Sequence, residues 1–343
     1  MSAPKLSRYT TPLLPGQFST ETYFSSQPPP ADLQARLRPV REFVRKWQAV
    51  EGKRVVVVTS GGTTVPLEAN TVRFLDNFSA GTRGSTSAEY FLSHPQQYVV
   101  IFMHRQHSLR PYSRHYSHSL NPFLDLLTCP SEDSLAADEE GPITVRPERT
   151  TQLLPVLKAY HESHHGPNPT ICALEFVTVN DYLWLLKELA EIVKPLGKRA
   201  MFYLAAAVSD FFLPQDRVAE HKIQSTKGNL TLEMDQVPKV LRPLVQEWIP
   251  EAFIVSFKHL QRYGHQVVVG NDLHKRKHEV VLVEHDAEGA GQGFKETWLK
   301  LVDLQDARRR EGAGKDAVEG VEIEEMIVRQ LVRRHDAWLS RSA

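Results

Sequence analysis

The 343 residues include 41 basic and 41 acidic side chains, which cancel to a formal charge of zero, with 41% hydrophobic and 24% charged residues. That balance excludes wholesale disorder and removes any electrostatic reason to expect a nucleic-acid binder. Two cysteines, Cys129 and Cys172, exclude a disulfide framework or a four-thiolate metal site, and every apolar run falls short of the roughly 18 residues a membrane helix needs. The proline- and serine-bearing start lacks an apolar core of signal-peptide type, so the expectation is a reducing, cytoplasmic setting.

Residues 1–30, ending in Pro28, Pro29 and Pro30, read as a flexible or loosely docked extension. In 31–50, Leu33, Leu37, Val40, Phe43, Val44 and Trp47 recur at helical spacing and predict an amphipathic helix. Arg54–Thr59 then brings Val55 to Val58 in succession, a run with no polar alternation, as a strand buried on both faces requires. Similar runs follow at Tyr98–Met103, Thr170–Phe176, Met201–Val208, Ala252–Phe257, Gln266–Gly270 and Glu279–Val283. Helical patterns lie between several of them, at Gly84–Ser93, Asp181–Val193 and Pro238–Trp248, and Val321–Leu339 predicts a closing helix. Strand alternating with helix is the signature of an α/β fold: a Rossmann-like, mostly parallel sheet with helices on both faces.

Two stretches break the rhythm. Residues 105–166 are rich in His, Ser, Pro and Arg and read as a partly ordered insertion in a single α/β domain spanning 31–343. Its His161, His164 and His165 invite a metal site, but without thiolates or a clear helical pair a solvated loop is the stronger reading. Arg308–Lys315 likewise reads as an exposed loop.

The chemistry gathers in three clusters. Thr59-Ser60-Gly61-Gly62-Thr63 follows the first strand, where backbone N–H groups can approach a phosphate, although a tight turn explains the glycines equally well. Pro66-Leu67-Glu68 leads to Val72-Arg73-Phe74-Leu75-Asp76-Asn77-Phe78-Ser79-Ala80-Gly81 and Gly84, a second anion-binding candidate before a helix start. The spacing matches neither Gly-x-Gly-x-x-Gly nor a Walker loop. The third cluster is Ala205-Ala206-Ala207-Val208-Ser209-Asp210-Phe211, followed by His221-Lys222-Ile223-Gln224-Ser225. Asp210 sits at the expected sheet edge and Lys222 could meet developing negative charge. A turn former and a solvated lysine remain the alternatives.

These segments occur in a fixed order with Phe253-Ile-Val-Ser-Phe-Lys258 and Gln266-Val-Val-Val-Gly-Asn271, and together they closely resemble eukaryotic phosphopantothenate–cysteine ligase from about Ala31 to Leu339. The resemblance implies a homodimeric, Mg²⁺-dependent ligase of coenzyme A biosynthesis. ATP or CTP would activate the carboxylate of 4′-phosphopantothenate as an acyl-nucleotide, which L-cysteine attacks through its amine. By motif position it implies nucleotide contacts at Gly61, Ser79, Gly81, Gly84, Phe257 and Asn271. It implies substrate contacts at Arg73, Asn77, Ala206, Ala207 and Asp210, with Arg73 reaching the substrate phosphate from the dimer partner. Asn77 and Lys222 would carry the chemistry, Asn77 in forming and handling the acyl-nucleotide and Lys222 in stabilising negative charge. The metal ligands are not implied by any motif.

One departure is large. Lys258 is followed by His259 to His265 and then at once by the next strand, where the family has Leu-Glu-Thr and a helix. A parallel crossover takes about a dozen residues or more, so the stretch is rearranged or lacks a segment, and the expectation is a surviving fold class with impaired activity. Ala80, where serine is common, and Gly270, where alanine is usual, are milder departures. Two other readings compete: a non-catalytic nucleotide-binding or regulatory relative, favoured by the short crossover, and a nicotinamide-dependent reductase, disfavoured by the missing Gly-x-Gly-x-x-Gly and Tyr-x-x-x-Lys patterns.

Overall fold

The computed structural model describes residues 18–70, 72–94, 97–116, 122–128, 143–221, 223, 228–257, 264–285 and 293–341. Lys222 and residues 258–263 of the short crossover lie outside that set.

The valine run forms β1 (Arg54–Ser60), and its side chains alternate between two cores as a pleated strand dictates. Val55 and Val57 enter one core with α2 (Leu33–Gln48) and α5 (Val179–Val193). Val56 and Val58 enter the other with α3 (Thr82–Leu92) and α7 (Ile323–Ser340). All four valines are fully buried, each contributing roughly 1.5–3 kcal/mol of apolar burial.

The remaining strands are β2 (Tyr98–Arg105), β3 (Ile171–Phe176), β4 (Ala200–Leu204), β5 (Phe253–Ser256), β6 (Val267–Gly270), β7 (Glu279–His285) and β8 (Phe294–Lys300). They build one eight-stranded sheet in the order β3-β2-β1-β4-β5-β6-β7-β8. Pairing is parallel from β3 through β6 and antiparallel for β7 and β8. The order reverses between β1 and β4, and ligands of open α/β sheets bind outside the carboxyl ends of the strands at such a switch point. Strands β5 and β6 pair in parallel, with Val255 opposite Val267, although only ten residues (Phe257 to Gln266) connect them. The shortened connection thus leaves the sheet order intact, as the sequence leads one to expect of the fold class.

Several expectations change. From Phe18 onward the N-terminal extension is docked: α1 (Thr20–Ser26) is capped by Ser19, and Tyr23 is fully buried with its hydroxyl donating to Asn180 at 3.0 Å. The 105–166 region contains α4 (Pro147–His164). His161 and His164 lie in its last turn rather than in a loop, and the His164 ring stacks on Tyr160 at 4.2 Å. Arg114 ties this region to the body by pairing with Glu89 at 2.8 Å and Glu322 at 2.7 Å. Arg308 belongs to the last turn of α6 (Leu301–Arg310) and pairs with Glu325 at 3.0 Å, so that stretch is not wholly a loop. The predicted strand Met201–Val208 stops at Leu204. The predicted helix Pro238–Trp248 shrinks to one turn at Leu241–Pro243 followed by a π-type turn at Leu244–Trp248, as befits a segment whose Pro243 has no N–H to donate. Strand β8 has no sequence forecast because its residues alternate poorly: Phe294, Lys295 and Glu296 are exposed, and Leu299 is its buried residue.

Candidate active site

At the switch point, the loops after β1 and β4 are laced together. Ala207 donates to the Gly61 carbonyl at 2.8 Å, and Thr63 donates back to the Ala207 carbonyl at 3.1 Å. Two threonine hydroxyls finish the lacing: Thr59 Oγ1 accepts from the Ala206 N–H at 3.2 Å, and Thr63 Oγ1 from Ser209 N–H at 2.9 Å. Both threonines are fully buried, so each hydroxyl satisfies a backbone donor that would otherwise cost about 1–3 kcal/mol to bury unpaired. The three small residues Ala205–Ala207 thus follow the end of β4, with Ala207 bridged to Gly62.

The Asn77 loop is placed by the same segment, its N–H donating to the Thr63 carbonyl at 3.0 Å. Gly62 makes this approach possible. A Cβ on Gly62 would sit 1.7 Å from the Asn77 carbonyl oxygen. The loop then turns into α3 through Gly81, whose φ of 82° is left-handed, a conformation glycine adopts without a Cβ penalty. Its carbonyl accepts from Ser60 Oγ at 3.0 Å and Ser85 Oγ at 2.9 Å. Gly84 lets α3 lie against β1, since a Cβ there would come within 2.5 Å of the Ser60 side chain.

A cavity of about 660 Å³ opens between these loops. Its wall includes Asn77, Ser79, Gly81, Ala206, Ala207, Asp210, Phe257 and Asn271, so eight residues singled out in the sequence converge on one space. Gly61, Gly84 and Arg73 are not on that wall among the described residues. The two glycines are closely packed: a Cβ at Gly61 would meet the Arg105 Cβ at 2.7 Å.

Arg73 stands on the outer loop and reaches the fully buried Glu68, with Nε at 3.0 Å and Nη2 at 2.8 Å from the same carboxylate oxygen. Its Nη2 also donates to the Ile223 carbonyl at 2.5 Å, and the Ile223 N–H donates to Glu68 at 3.4 Å. This pair clamps the residue that directly follows Lys222. Burial pushes the Glu68 carboxyl up, and the backbone amides of Arg73 and Ile223 with the Arg73 guanidinium outweigh it, leaving the group below its ordinary value.

The cavity also has a cationic side that sequence inspection passed over: Arg83, Lys239, Arg276 and Lys277 line it, against the carboxylates of Asp210 and Glu324. Only Arg83 lies inside a recognised motif, and nothing in local spacing connects residues 83, 276 and 324; the fold alone assembles them. Among the described residues, no cysteine lines the cavity. Cys172 faces the sheet core, where burial pushes its thiol up to about 11, and Cys129 is outside the described residues.

The cavity thus combines small residues at a strand end with a cationic side. Residues 175–325 match the family model for the DNA/pantothenate metabolism flavoprotein C-terminal domain. The phosphopantothenate–cysteine ligase of Homo sapiens is 42% identical over 89% of this chain and 98% of its own length. The phosphopantothenate–cysteine ligase CAB2 of Saccharomyces cerevisiae is 38% identical over 96% of this chain and 90% of its own. The chain belongs to the phosphopantothenate–cysteine ligase family. A solved structure of a Cab2 mutant in complex with phosphopantothenate-cysteine superposes with a TM-score of 0.76 at 38% identity, covering 93% of this chain and 98% of that one. Across that span the fold is shared, and these matches lend no support to the reductase or non-catalytic readings.

Proposed function

We propose that this chain joins 4′-phosphopantothenate to L-cysteine through an acyl-nucleotide, with ATP or CTP as co-substrate, in the cytoplasm and as a homodimer. The observation that carries the proposal is the convergence of the Asn77 loop, the 205–210 loop, Phe257 and Asn271 on one cavity at the sheet's switch point. Ala206 and Ala207 admit the pantothenate arm close to the backbone. Asn77 lines the same cavity, where its side-chain amide can hold the carboxylate and then the acyl oxygen of the acyl-nucleotide. Arg276 and Lys277 supply positive charge to a triphosphate entering from the Asn271 side. Lys222, which directly precedes the clamped Ile223 in the sequence, is the proposed donor to charge developing at the reaction centre.

Mg²⁺ is usually held by one or two carboxylates together with substrate phosphates, and Asp210 is the carboxylate of this wall that this reading assigns to it. A bound Mg²⁺ would neutralise phosphate charge as pyrophosphate departs. The dimer reading draws on the exposed apolar side chains Val72, Phe74, Leu75 and Phe78, all near Arg73 in the chain, Phe78 being 85% exposed, since exposed apolar surface marks association sites when it gathers. The Arg73 side chain is 37% exposed despite its bond to Glu68, which leaves it a face to turn toward a partner's substrate. No helix among the described residues is long and apolar enough to cross a membrane.

The test is sustained pyrophosphate release with phosphopantothenate, cysteine and either ATP or CTP. Release that requires all three reactants, and that falls at least about a hundredfold in Asn77→Ala as expected for a transition-state contact, supports the proposal. Nucleotide binding without any release would overturn it.

A further inference from the structure

One guanidinium joins three elements that are remote in sequence. Arg83, in the first turn of α3, donates through Nη1 to Glu324 Oε1 at 2.8 Å and through Nη2 to the Arg276 carbonyl at 2.6 Å. Glu324 is in the first turn of α7, and Arg276 is in the turn between β6 and β7. The Arg83 and Glu324 side chains are only 15% and 11% exposed, so water competes poorly for their bond. The turn itself is exposed from Asn271 to His278. Its internal hydrogen bonds are local ones, such as His274 N–H to Asp272 and His278 N–H to the Lys275 carbonyl. Among the described residues, Arg276 and Lys277 form no ion pair, and both line the cavity with Asn271.

We infer that Arg83 is the positioning residue for the nucleotide half of the cavity: it staples the 271–277 turn to α3 and α7 so that Asn271, Arg276 and Lys277 face a nucleoside triphosphate. The inference deepens the ligase reading and rests on it for the identity of the nucleotide. Arg83 spends both arms on protein acceptors, so its contribution to affinity comes through the turn rather than through a free charge. Glu324 orients the fork and offsets the guanidinium charge on the cavity wall. The Arg276 contact is to its backbone carbonyl, so removing the Arg276 side chain keeps the staple while removing one cation.

The test uses the full chain with Arg83→Met, Arg83→Lys, Glu324→Gln and Arg276→Met. Dissociation constants for a non-hydrolysable ATP analogue and for CTP are read by calorimetry without other substrates, and KM for each of the three reactants from pyrophosphate release. Loss of a charge-assisted bond predicts a nucleotide Kd and KM raised about tenfold or more in Arg83→Met, with the other two KM values within about twofold of wild type. Arg83→Lys can hold one of the two acceptors and is expected in between. Glu324→Gln still offers an amide oxygen to Arg83 and is expected within about threefold of wild type. Arg276→Met should lose affinity more steeply at low salt than at high salt, as a direct cation does and a staple does not.

Arg83→Met with wild-type nucleotide Kd, or with all three KM values raised alike, would overturn the inference. If Arg83→Met loses its folded circular dichroism signal, Arg83→Lys decides, and an unchanged nucleotide Kd there overturns it equally. Wild-type chain that binds nucleotide but never releases pyrophosphate removes the ligase reading, while the Kd series still tests the staple.

Discussion

Substituting Gly62 by alanine adds one methyl group at the point where the Asn77 loop crosses the loop after β1. That carbon would lie 1.7 Å from the Asn77 carbonyl oxygen, 2.9 Å from its carbonyl carbon and 3.1 Å from the Ser79 nitrogen, where ordinary contact begins at 3.4 Å. All three neighbours are backbone, so no side chain can swing aside. The loop must retreat by more than 1 Å, and the bond from Asn77 N–H to the Thr63 carbonyl, 3.0 Å long, must stretch or break. Overpacking of this size costs about 1–3 kcal/mol of stability. Misplacement of a reacting contact by about 1 Å can cost on the order of a hundredfold in rate. The expected result for Gly62→Ala is a folded protein with a modestly lowered melting temperature and kcat reduced about a hundredfold in the pyrophosphate-release assay. Gly314→Ala, where a Cβ meets nothing within 4 Å, serves as the matched control. A Gly62→Ala protein that keeps kcat within about threefold would refute the claim that this close approach places Asn77.

Glu68 has its carboxyl held below its ordinary value in the folded state, so its stabilising effect is present above pH 4.5 and is lost as pH falls through the lowered value. Glu68→Gln should therefore melt below wild type at pH 7, with the gap closing as pH falls beneath 4.5 in matched thermal scans. His335, whose ring bonds the Tyr98 hydroxyl and the Lys198 carbonyl, is pushed by burial from 6.5 down to about 4. The unfolded chain then binds the proton first, so stability falls as pH drops from 6.5 to about 4, by about 3 kcal/mol from this group. A His335→Gln variant should show a shallower decline in urea-unfolding free energy over that window, and an unchanged slope would contradict the assignment. Arg73→Ala chains mixed with Asn77→Ala chains should recover part of the lost ligase activity if Arg73 serves the partner's site. Verified heterodimers with no recovery would count against that arrangement.

Much of the architecture was legible locally. The unbroken valine run of β1 could only be a doubly buried strand, and the apolar spacing of α2 and α5 matched what the structure buries. Residue pattern was weakest where polar groups were recruited over long distances. Ala205–Ala207 continues an apolar strand pattern, yet the Ala206 and Ser209 N–H groups go to the hydroxyls of Thr59 and Thr63, some 146 or 147 residues earlier, and only Ala207 is bridged to the neighbouring backbone. The prolines of the first thirty residues suggested a loose extension, whereas Tyr23 and Phe24 find aromatic partners in Phe212 and Trp184. No local pattern announces partners that far away.

The sequence by itself determined the fold class and the family, because buried strands need apolar runs and the ligase motifs are contiguous strings. It also named eight residues of the cavity wall. Only tertiary structure decided which named residues face that cavity and which support it from behind. Gly84 shares a motif with Ser79 and Gly81, and Gly61 stands in the neighbouring glycine motif, yet these two glycines pack against Ser60 and Arg105. The Arg83–Glu324 pair joins residues 241 positions apart. The physical reason is that motif spacing encodes local backbone shape, whereas the facing of a side chain depends on which distant element packs against it.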